Sequence, residues 1–208
     1  MDTPRIDELG SCSMLLGSLL LQNPKQEVAS QAIAGLCAMD VTEGWPFGTA
    51  EELGQVAALL GEAASMTTEQ HDRAYHHLFV GPQELKAAPW GSVYVDEEDL
   101  LFGDSTILLV RWMKANGIAL HESGSREPAD HIGRMLVLLS WLCENDAALI
   151  PEFLEKWLLT WAPAYFGRLV AAADGEDPLY VALALLGSLT LRGAAKDFGL
   201  TWSEAKAE

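Results

Sequence analysis

Apolar residues recur at helical spacing along most of the chain. The first such face is formed by Ile6, Leu9, Leu16 and Leu20. Their spacing predicts an amphipathic helix, which the turn-forming pair Asn23-Pro24 ends. A weaker pattern predicts a second helix over about 25–39. Each helix is expected to bury one face against a common core.

Two predicted helix starts carry the same capping signal. Thr49 is followed by Glu52, and Thr67 is followed by Gln70, at the spacing of a capping box in which both side chains satisfy backbone amides. The helix that begins after Thr49 is expected to face the core with Leu53, Val56 and Leu60. The second carries Tyr75, Leu78 and Phe79, and it stops at Gly81-Pro82.

A further helix follows a long segment without helical periodicity. Either Ser105 or Asp104 caps it, it runs through Trp112, and Gly117 ends it. Its apolar positions again favour one buried face.

The last part of the chain is the most apolar. Pro128 is predicted at the first position of a helix whose stretch 135–139 is apolar on every side, so this helix should run through the core. Two more helices are expected over about 147–161 and 163–173. A final helix runs from Pro178 to Leu191, with Asp177 as its cap.

The fold class indicated by these patterns is all-α. The longest alternating stretch is SVYV at 92–95, which is too short to suggest a sheet. We predict one globular domain over 1–208 with roughly eight to ten helices and one long ordered loop over 81–104. The loop is too aromatic to be disordered, and long ordered loops in compact domains usually serve a function.

The charge balance restricts the class of partner. The chain has 208 residues, half of them hydrophobic, and its 30 acids against 13 bases give a formal net charge of −17. Nucleic acid is disfavoured because phosphate binding needs basic stripes, and none is visible. A cationic partner is favoured by long-range attraction, although such charge can also serve solubility alone.

The cysteines and the N-terminus indicate a cytoplasmic protein. Cys12, Cys37 and Cys143 match neither a disulfide framework nor a zinc site. The first residues are acidic where an export signal would be basic. No uncharged apolar run reaches the roughly 18 residues that span a bilayer. We therefore expect reduced thiols and no membrane insertion.

The motif EPADHIG, at 127–133, is the first candidate site. With Pro128 at the first helical position, Glu127 would cap the helix and Asp130 would accept hydrogen bonds from free amides. Helix capping alone explains Asp130 as well as a binding role does. His131 likewise fits either a binding site or a hydrogen-bonded histidine at the edge of the core.

A metal centre is the rival interpretation. The dipeptide His71-Asp72 is found in HD-type metal-dependent phosphohydrolases, but no histidine precedes it here, and the adjacent His76 and His77 point to different helix faces. There is also no phosphate-binding loop, no Gly-x-Ser-x-Gly elbow and no Cys-x-x-Cys. We predict no catalytic residues, no metal and no enzymatic activity.

Four motifs in order resemble one family. They are LFVGP at 78–82, PWGSVY at 89–94, LFGDST at 101–106 and EPADHIG at 127–133. Together they resemble the TorD/DmsD family of redox-enzyme maturation chaperones, and most closely its DmsD branch. The likeness is strongest from Tyr75 to Trp141.

This resemblance implies a cytosolic chaperone of molybdopterin-containing reductases such as dimethyl sulfoxide reductase. Such chaperones bind the twin-arginine signal peptide of the enzyme and delay its export by the Tat (twin-arginine translocation) system until the cofactor is loaded. In that branch, signal-peptide binding involves the positions of Tyr75, Phe79, Pro89, Trp90, Asp130 and His131. Tyr75 and Gln83 stand where close relatives often carry tryptophan, which reduces the aromatic character of the groove.

The resemblance leaves several properties open. Components of the Tat translocase are further candidate partners, and the chain is expected as a monomer or a domain-swapped dimer. Binding of GTP is allowed by the resemblance, although no phosphate-binding motif supports it, and no other cofactor is expected. The alternatives are therefore a nucleotide-sensing chaperone and an HD-like metal-dependent phosphohydrolase.

The chemistry of such a peptide agrees with the residues present. An arginine pair needs carboxylates, and an apolar helical stretch needs a groove. The acids Asp96 to Asp99 are further candidates, unless they are only a solvated charge run. Trp90 lines the groove or merely anchors the loop, and Gly91 permits a tight turn. The predicted peptide-binding residues are Tyr75, Phe79, Pro89, Trp90, Gly91, Ser92, Tyr94, Glu127, Asp130 and His131.

Overall fold

The computed structural model describes residues 4–82, 84–96, 103–119 and 127–203. Within these ranges the chain forms eleven α-helices and no strand. The helices are α1 Ile6–Leu21, α2 Glu27–Ala38, α3 Val41–Gly44, α4 Ala50–Ala63, α5 Thr68–Tyr75, α6 Ser92–Val95, α7 Asp104–Ala115, α8 Ile132–Asn145, α9 Ile150–Phe153, α10 Ala162–Ala173 and α11 Pro178–Asp197.

The all-α prediction is confirmed, with eight helices of at least two turns and three single turns, α3, α6 and α9. Wider π-helical turns, His76–Val80 and Leu154–Leu158, prolong α5 and α9. Both predicted capping boxes are present: the amide nitrogen of Thr49 donates to Glu52 and that of Thr67 donates to Gln70, each at 2.8 Å. Gly117 has the positive φ of +72° predicted for it after α7.

The helix α11 forms the centre of the molecule. Asp177 caps it by accepting a hydrogen bond from the amide of Leu179 at 2.9 Å, and Pro178 occupies its first turn, as predicted. It packs against α10, α4 and α1. By length and composition this helix could cross a membrane, but 67% of its apolar window is buried inside the protein. Core helices of soluble proteins share these properties, so α11 alone indicates no membrane span.

The helices α1 and α8 cross closely because two glycines face each other. A Cβ atom on Gly17 would lie 2.7 Å from the carbonyl oxygen of Gly133, and one on Gly133 would lie 2.8 Å from that of Gly17. Real Cβ atoms do not approach backbone so closely, so only glycine permits this crossing. The crossing fixes the N-terminus of α8, where the EPADHIG motif ends.

The predicted start of α8 is wrong. The helix begins at Ile132 rather than Pro128, and His131 caps it by accepting a hydrogen bond from the amide of Gly133 at 3.1 Å. The amide of Ile132 instead donates to the carbonyl of Pro89 at 2.7 Å. This long-range pairing holds 128–130 as a turn, so Glu127 is not the cap of α8.

The segment over 81–104 contains one short helix among its described residues. SVYV forms the single turn α6 rather than a strand. Neither Asp104 nor Ser105 caps α7 with its side chain: the cap residue is Gly103, and the carboxylate of Asp96 accepts a hydrogen bond from the Ser105 hydroxyl at 2.8 Å. Gln83 and residues 97–102 lie outside the described residues, so the length of the predicted loop stays a prediction.

Candidate functional site

Hydrogen bonds join the PWGSVY and EPADHIG motifs into one structure. Besides the bond from Ile132 to Pro89, the amide of Gly91 donates to the carbonyl of Asp130 at 3.1 Å. Trp90 and His131 form an isolated antiparallel bridge, and their rings meet edge to face with centroids 6.4 Å apart. The two motifs are therefore a single local site, although 37 residues separate Trp90 from Glu127 in sequence.

The Asp130 carboxylate is the centre of this site. It is 4% exposed, and its Oδ2 accepts a hydrogen bond from the amide of Ser92 at 2.8 Å. Its other oxygen, Oδ1, is buried without a hydrogen-bond partner among the described residues. A buried carboxylate oxygen left in this state is costly, and it is a ready acceptor for a cationic donor.

A small pocket lies beside Asp130. It encloses about 170 Å³ between α6, α7, the N-terminus of α8 and the turn that follows α9. Its lining is mostly apolar or aromatic and consists of Gly91, Val95, Ser105, Leu108, Leu109, Asp130, Met135, Lys156, Trp157, Thr160 and Trp161. Val95 and Leu108 at its edge are 43% and 50% exposed. The pocket thus combines one buried acid with an open apolar margin.

Gly91 is required for space rather than for a turn. Its φ of −60° is available to any residue. A Cβ atom there would, however, lie 2.8 Å from the indole ring of Trp161, which is almost fully buried. A side chain at this turn would thus be blocked, and the obstacle is the ring of Trp161: glycine lets the loop rest directly on that ring.

Trp90, which precedes Gly91 of the pocket, is half-buried and contacts the EPADHIG motif. Its indole Nε1 donates to Oε2 of Glu127 at 3.0 Å. The backbone carbonyl of Glu127 accepts a hydrogen bond from Arg134 at 2.8 Å. Burial raises the pKa of the Tyr75 hydroxyl, and the nearby Glu127 carboxylate raises it further. The Glu127 carboxylate therefore contacts Trp90 directly and acts on Tyr75 through its charge.

Phe79 packs against Tyr75 on the side of the core. It is buried, and its ring packs between those of Tyr75 and Tyr180, with centroids 5.3 and 5.4 Å away. The Tyr75 hydroxyl donates to the carbonyl of Leu21 at the end of α1, at 3.0 Å. Tyr75 thus presents part of its ring at the surface, whereas Phe79 fixes that ring from the core.

His131 is a buried neutral histidine. Because Nδ1 accepts the hydrogen bond from Gly133, the proton of the neutral ring lies on Nε2. Burial, and then the charge of Arg134, lowers the pKa of His131 to about 3. A group with this pKa is an orienting element at neutral pH rather than a proton donor or a charged ligand.

Tyr94 and Asp96 both make contacts within the fold. The Tyr94 ring stacks on Trp161 at 5.7 Å, and the Arg168 guanidinium lies 4.9 Å from its centroid. Asp96 is held at the start of α7 by Ser105, and the remaining acids of that run, 97–99, lie outside the described residues. Hydrogen bonds thus join the predicted positions of the PWGSVY and EPADHIG motifs, Tyr94 stacks on a wall of the pocket, and Tyr75 and Phe79 pack on each other beside the end of α1.

The two residues of the His71-Asp72 dipeptide have separate partners. His71 Nδ1 lies 2.7 Å from Oδ2 of Asp177, the cap of α11. Asp72 contacts Lys25 and Asn23, each at 2.7 Å. No group of three His, Cys, Asp or Glu side chains among the described residues could hold a metal ion. Contacts within the fold therefore account for the presence of both residues without a metal site.

Comparison with known proteins identifies the family. The model of the family described as "Nitrate reductase delta subunit" matches residues 43–167. The Tat proofreading chaperone DmsD of Salmonella typhi is 37% identical over 186 residues, which is 89% of this chain and 88% of that protein. The chain belongs to the TorD/DmsD family of redox-enzyme maturation chaperones.

More distant relatives agree with this assignment. The chaperone protein TorD of Shewanella pealeana is 28% identical over 149 residues, 66% of each chain. A proposed redox enzyme maturation protein from Archaeoglobus fulgidus has the same fold, with a TM-score of 0.50 and 19% identity over 88% of this chain and 91% of that one. The predicted family and its DmsD branch are confirmed.

Several residues of the site in this TorD/DmsD chain were not predicted. Trp157 and Trp161 form the far wall of the Asp130 pocket, and Leu108 forms its margin. On the helix predicted over about 147–161, their spacing of four residues would place them on one face, which is the signal that could have singled them out. In the structure Trp157 lies in the π-helical turn Leu154–Leu158 and Trp161 precedes α10, and only the tertiary structure shows that Trp161 meets Gly91.

Proposed function

We propose that this chaperone binds the twin-arginine signal peptide of a molybdopterin-containing reductase in the cytoplasm, at the site formed by Trp90, Asp130 and the adjoining pocket. The observation that carries the proposal is the buried Asp130 carboxylate at the wall of an apolar pocket, whose Oδ1 has no hydrogen-bond partner among the described residues. Family membership supplies the class of ligand, since the DmsD relatives are named Tat proofreading chaperones.

An arginine side chain suits this pocket on two grounds. Its guanidinium donates strong hydrogen bonds to carboxylates, and its flat face stacks on aromatic rings such as those of Trp157 and Trp161. The cation already at the pocket, Lys156, is paired with Glu152 at 2.9 Å. Lys156 therefore does not compete strongly for Asp130.

The apolar stretch of the peptide supplies most of the affinity. Ordering a peptide costs several kcal/mol, whereas one charged hydrogen bond returns about 1.5 to 3 kcal/mol. The exposed apolar side chains Val95 and Leu108 at the pocket, together with the half-buried Trp90 beside it, provide the remainder. The acids then determine orientation and association rate.

The test is calorimetric titration of a twin-arginine peptide into the protein and three variants. Asp130→Asn is a selective change, because the side-chain oxygen of asparagine can still accept the hydrogen bond from Ser92. The NH2 group that replaces Oδ1 is a donor and cannot bind a guanidinium group. We expect at least tenfold weaker binding, and a larger loss for Trp90→Ala. Asp96→Asn makes the same change at a carboxylate tied to Ser105, and it should leave the affinity within about twofold.

Equal affinities in the protein and its Asp130→Asn variant would overturn this assignment of the site, provided that circular dichroism shows both to be folded. A larger loss from Asp96→Asn than from Trp90→Ala would reject the dominance of the apolar groove. An HD-like hydrolase and a nucleotide sensor are not favoured by any contact of the described residues. The client enzyme, the Tat translocase contacts and the oligomeric state stay predictions.

A further inference from the structure

Two hollows meet on the exposed side of α1. They measure 320 and 560 Å³ and share Asp7, Ser11 and Leu15. We call the joined hollows the α1 trough. Met14 of α1 also lines it, and the remaining walls come from α2, the segment around α3 and α8, and include Val28, Ala32, Met39, Trp45 and Cys143. None of these residues lines the pocket at Asp130.

The trough gathers exposed apolar side chains. Met14 is 41% exposed, Val28 is 69% exposed and Met39 is 42% exposed. Single exposed apolar residues are ordinary, but Met14 and Val28 border one of these hollows and Met39 borders the adjoining one. Val28 and Ala32 lie one turn apart on α2 and line the same hollow, and Met39 directly follows the end of that helix.

The edge of the trough is acidic. Asp7, Glu8 and Glu144 line it, and no lysine or arginine is among its lining residues in the described part of the chain. None of these three acids belongs to an ion pair between described residues. Among the described residues, no ion pair therefore neutralises their charge.

The negative field extends to the floor of the trough. Burial raises the pKa of the Cys143 thiol to about 12, and Asp7 and Glu144 both contribute to this rise. Arg5, whose charge is felt at the neighbouring thiol of Cys12, is engaged with Asp197 at 2.9 Å. The trough thus presents apolar surface under an acidic potential.

We propose that the α1 trough is a second binding surface, which takes an amphipathic helix of a partner protein with apolar residues on one face and lysines or arginines beside them. The trough follows α1 from Asp7 to Ser18, which at 1.5 Å per residue is roughly 16 Å, or three turns of a bound helix. Apolar anchors at helical spacing fit such a groove, and basic flanks complement its edge. A second copy of this chain is a poor occupant, because both copies carry −17 charges.

The test uses a fluorescent 18-residue helix of leucines and lysines that lacks an arginine pair, with anisotropy as the readout. We expect saturable binding, and a loss of at least tenfold for the double variant Met14→Lys with Val28→Lys. Ile107→Lys is the matched control, since Ile107 is similarly exposed at 46% but lies on α7, outside the trough. It should leave the affinity unchanged, and a peptide with glutamate in place of lysine should not bind.

The same variants separate this surface from the signal-peptide site. The double variant should bind a twin-arginine peptide as the unchanged protein does, and that peptide should not displace the leucine-lysine helix. Equal binding of the helix by the folded double variant would overturn the proposal, as would displacement. Self-association of the protein that the double variant abolishes in sedimentation would also overturn it, by making a second copy the occupant.

Discussion

Asp130 and His131 are adjacent, almost fully buried residues, and each serves the fold with one polar atom. Asp130 holds the Trp90 loop through Ser92, and His131 caps α8 through Gly133. The interpretation of Asp130 as a cap of α8 is therefore wrong, because its carboxylate accepts from Ser92, outside that helix. The interpretation of His131 as a hydrogen-bonded histidine is correct, and this residue is the cap. The Oδ1 atom of Asp130, which has no partner in the described part of the chain, is the feature that these structural roles do not account for.

The buried neutral state of His131 predicts a loss of stability in acid. Because its pKa is about 3 in the folded protein and about 6.5 in the unfolded chain, the unfolded state binds an extra proton between these values. Stability contributed by this residue is therefore complete above about pH 6.5 and falls as the pH drops toward 3, by up to about 1.4 kcal/mol per pH unit.

Urea unfolding at pH 7 and pH 5 measures this contribution. His131→Asn keeps an acceptor for the amide of Gly133 but cannot titrate, so the variant should lose clearly less stability between the two pH values. Other acid-sensitive groups, such as Asp72 with its lowered pKa, affect both proteins equally. Identical pH dependence in the two proteins would contradict a neutral buried His131.

The contact between His71 and Asp177 predicts that substitution of His71 strongly destabilises the fold. Replacing His71 with leucine leaves the fully buried Asp177 carboxylate without this partner, and we expect a loss of about 3 kcal/mol in unfolding free energy. His77→Leu, at an exposed histidine, should change stability by less than about 0.5 kcal/mol. Destabilisation of the unchanged protein by EDTA to the same degree would instead indicate a metal at His71.

At the scale of elements, the crossing of α1 and α8 positions the functional site. Gly17 and Gly133 bring the two backbones together, and the start of α8 then meets the loop that carries Trp90. The end of α1 also accepts the hydrogen bond from Tyr75. A shift of this crossing would displace both sides of the site at once.

Gly133→Ala tests the crossing. The added Cβ would lie 2.5 Å from Leu21 and 2.8 Å from the carbonyl of Gly17, so we expect a loss of about 1 to 3 kcal/mol and weaker binding of a twin-arginine peptide. Gly54→Ala in α4 is the matched control, because nothing lies within 4 Å of its added Cβ. This variant should gain about 0.5 to 1 kcal/mol in chemical unfolding. Equal effects of the two substitutions would exclude a packing role for Gly133.

Local signals predicted the elements well, and long-range pairing explains where they failed. The capping boxes at Thr49 and Thr67 and the Asp177-Pro178 start depend on residues within one turn, and all three were confirmed. The predicted start of α8 was wrong because the carbonyl of Pro89, which is distant in sequence, accepts a hydrogen bond from the amide of Ile132. The packing of Gly91 on Trp161 is equally non-local, so no sequence pattern located the pocket.

At the scale of the whole molecule, charge and apolar surface have different roles in binding. The net charge of −17 attracts a cationic peptide over distances near the Debye length of roughly 8 Å at physiological salt. Contact with Trp90 and the pocket margin acts only after encounter. The two effects are separable because the first governs association and the second governs dissociation.

Ionic strength therefore should change the two rates of twin-arginine peptide binding unequally. Between 0.02 and 0.5 M salt we expect the association rate to fall by about tenfold, and the dissociation rate to change by less than about twofold. A peptide with two lysines in place of the arginines keeps the charge, so its association rate should respond to salt in the same way. It should dissociate faster, because lysine lacks the planar fork that binds a carboxylate and stacks on indole rings. Stopped-flow fluorescence measures all four rates, and equal dissociation of the two peptides would contradict recognition of guanidinium by Asp130.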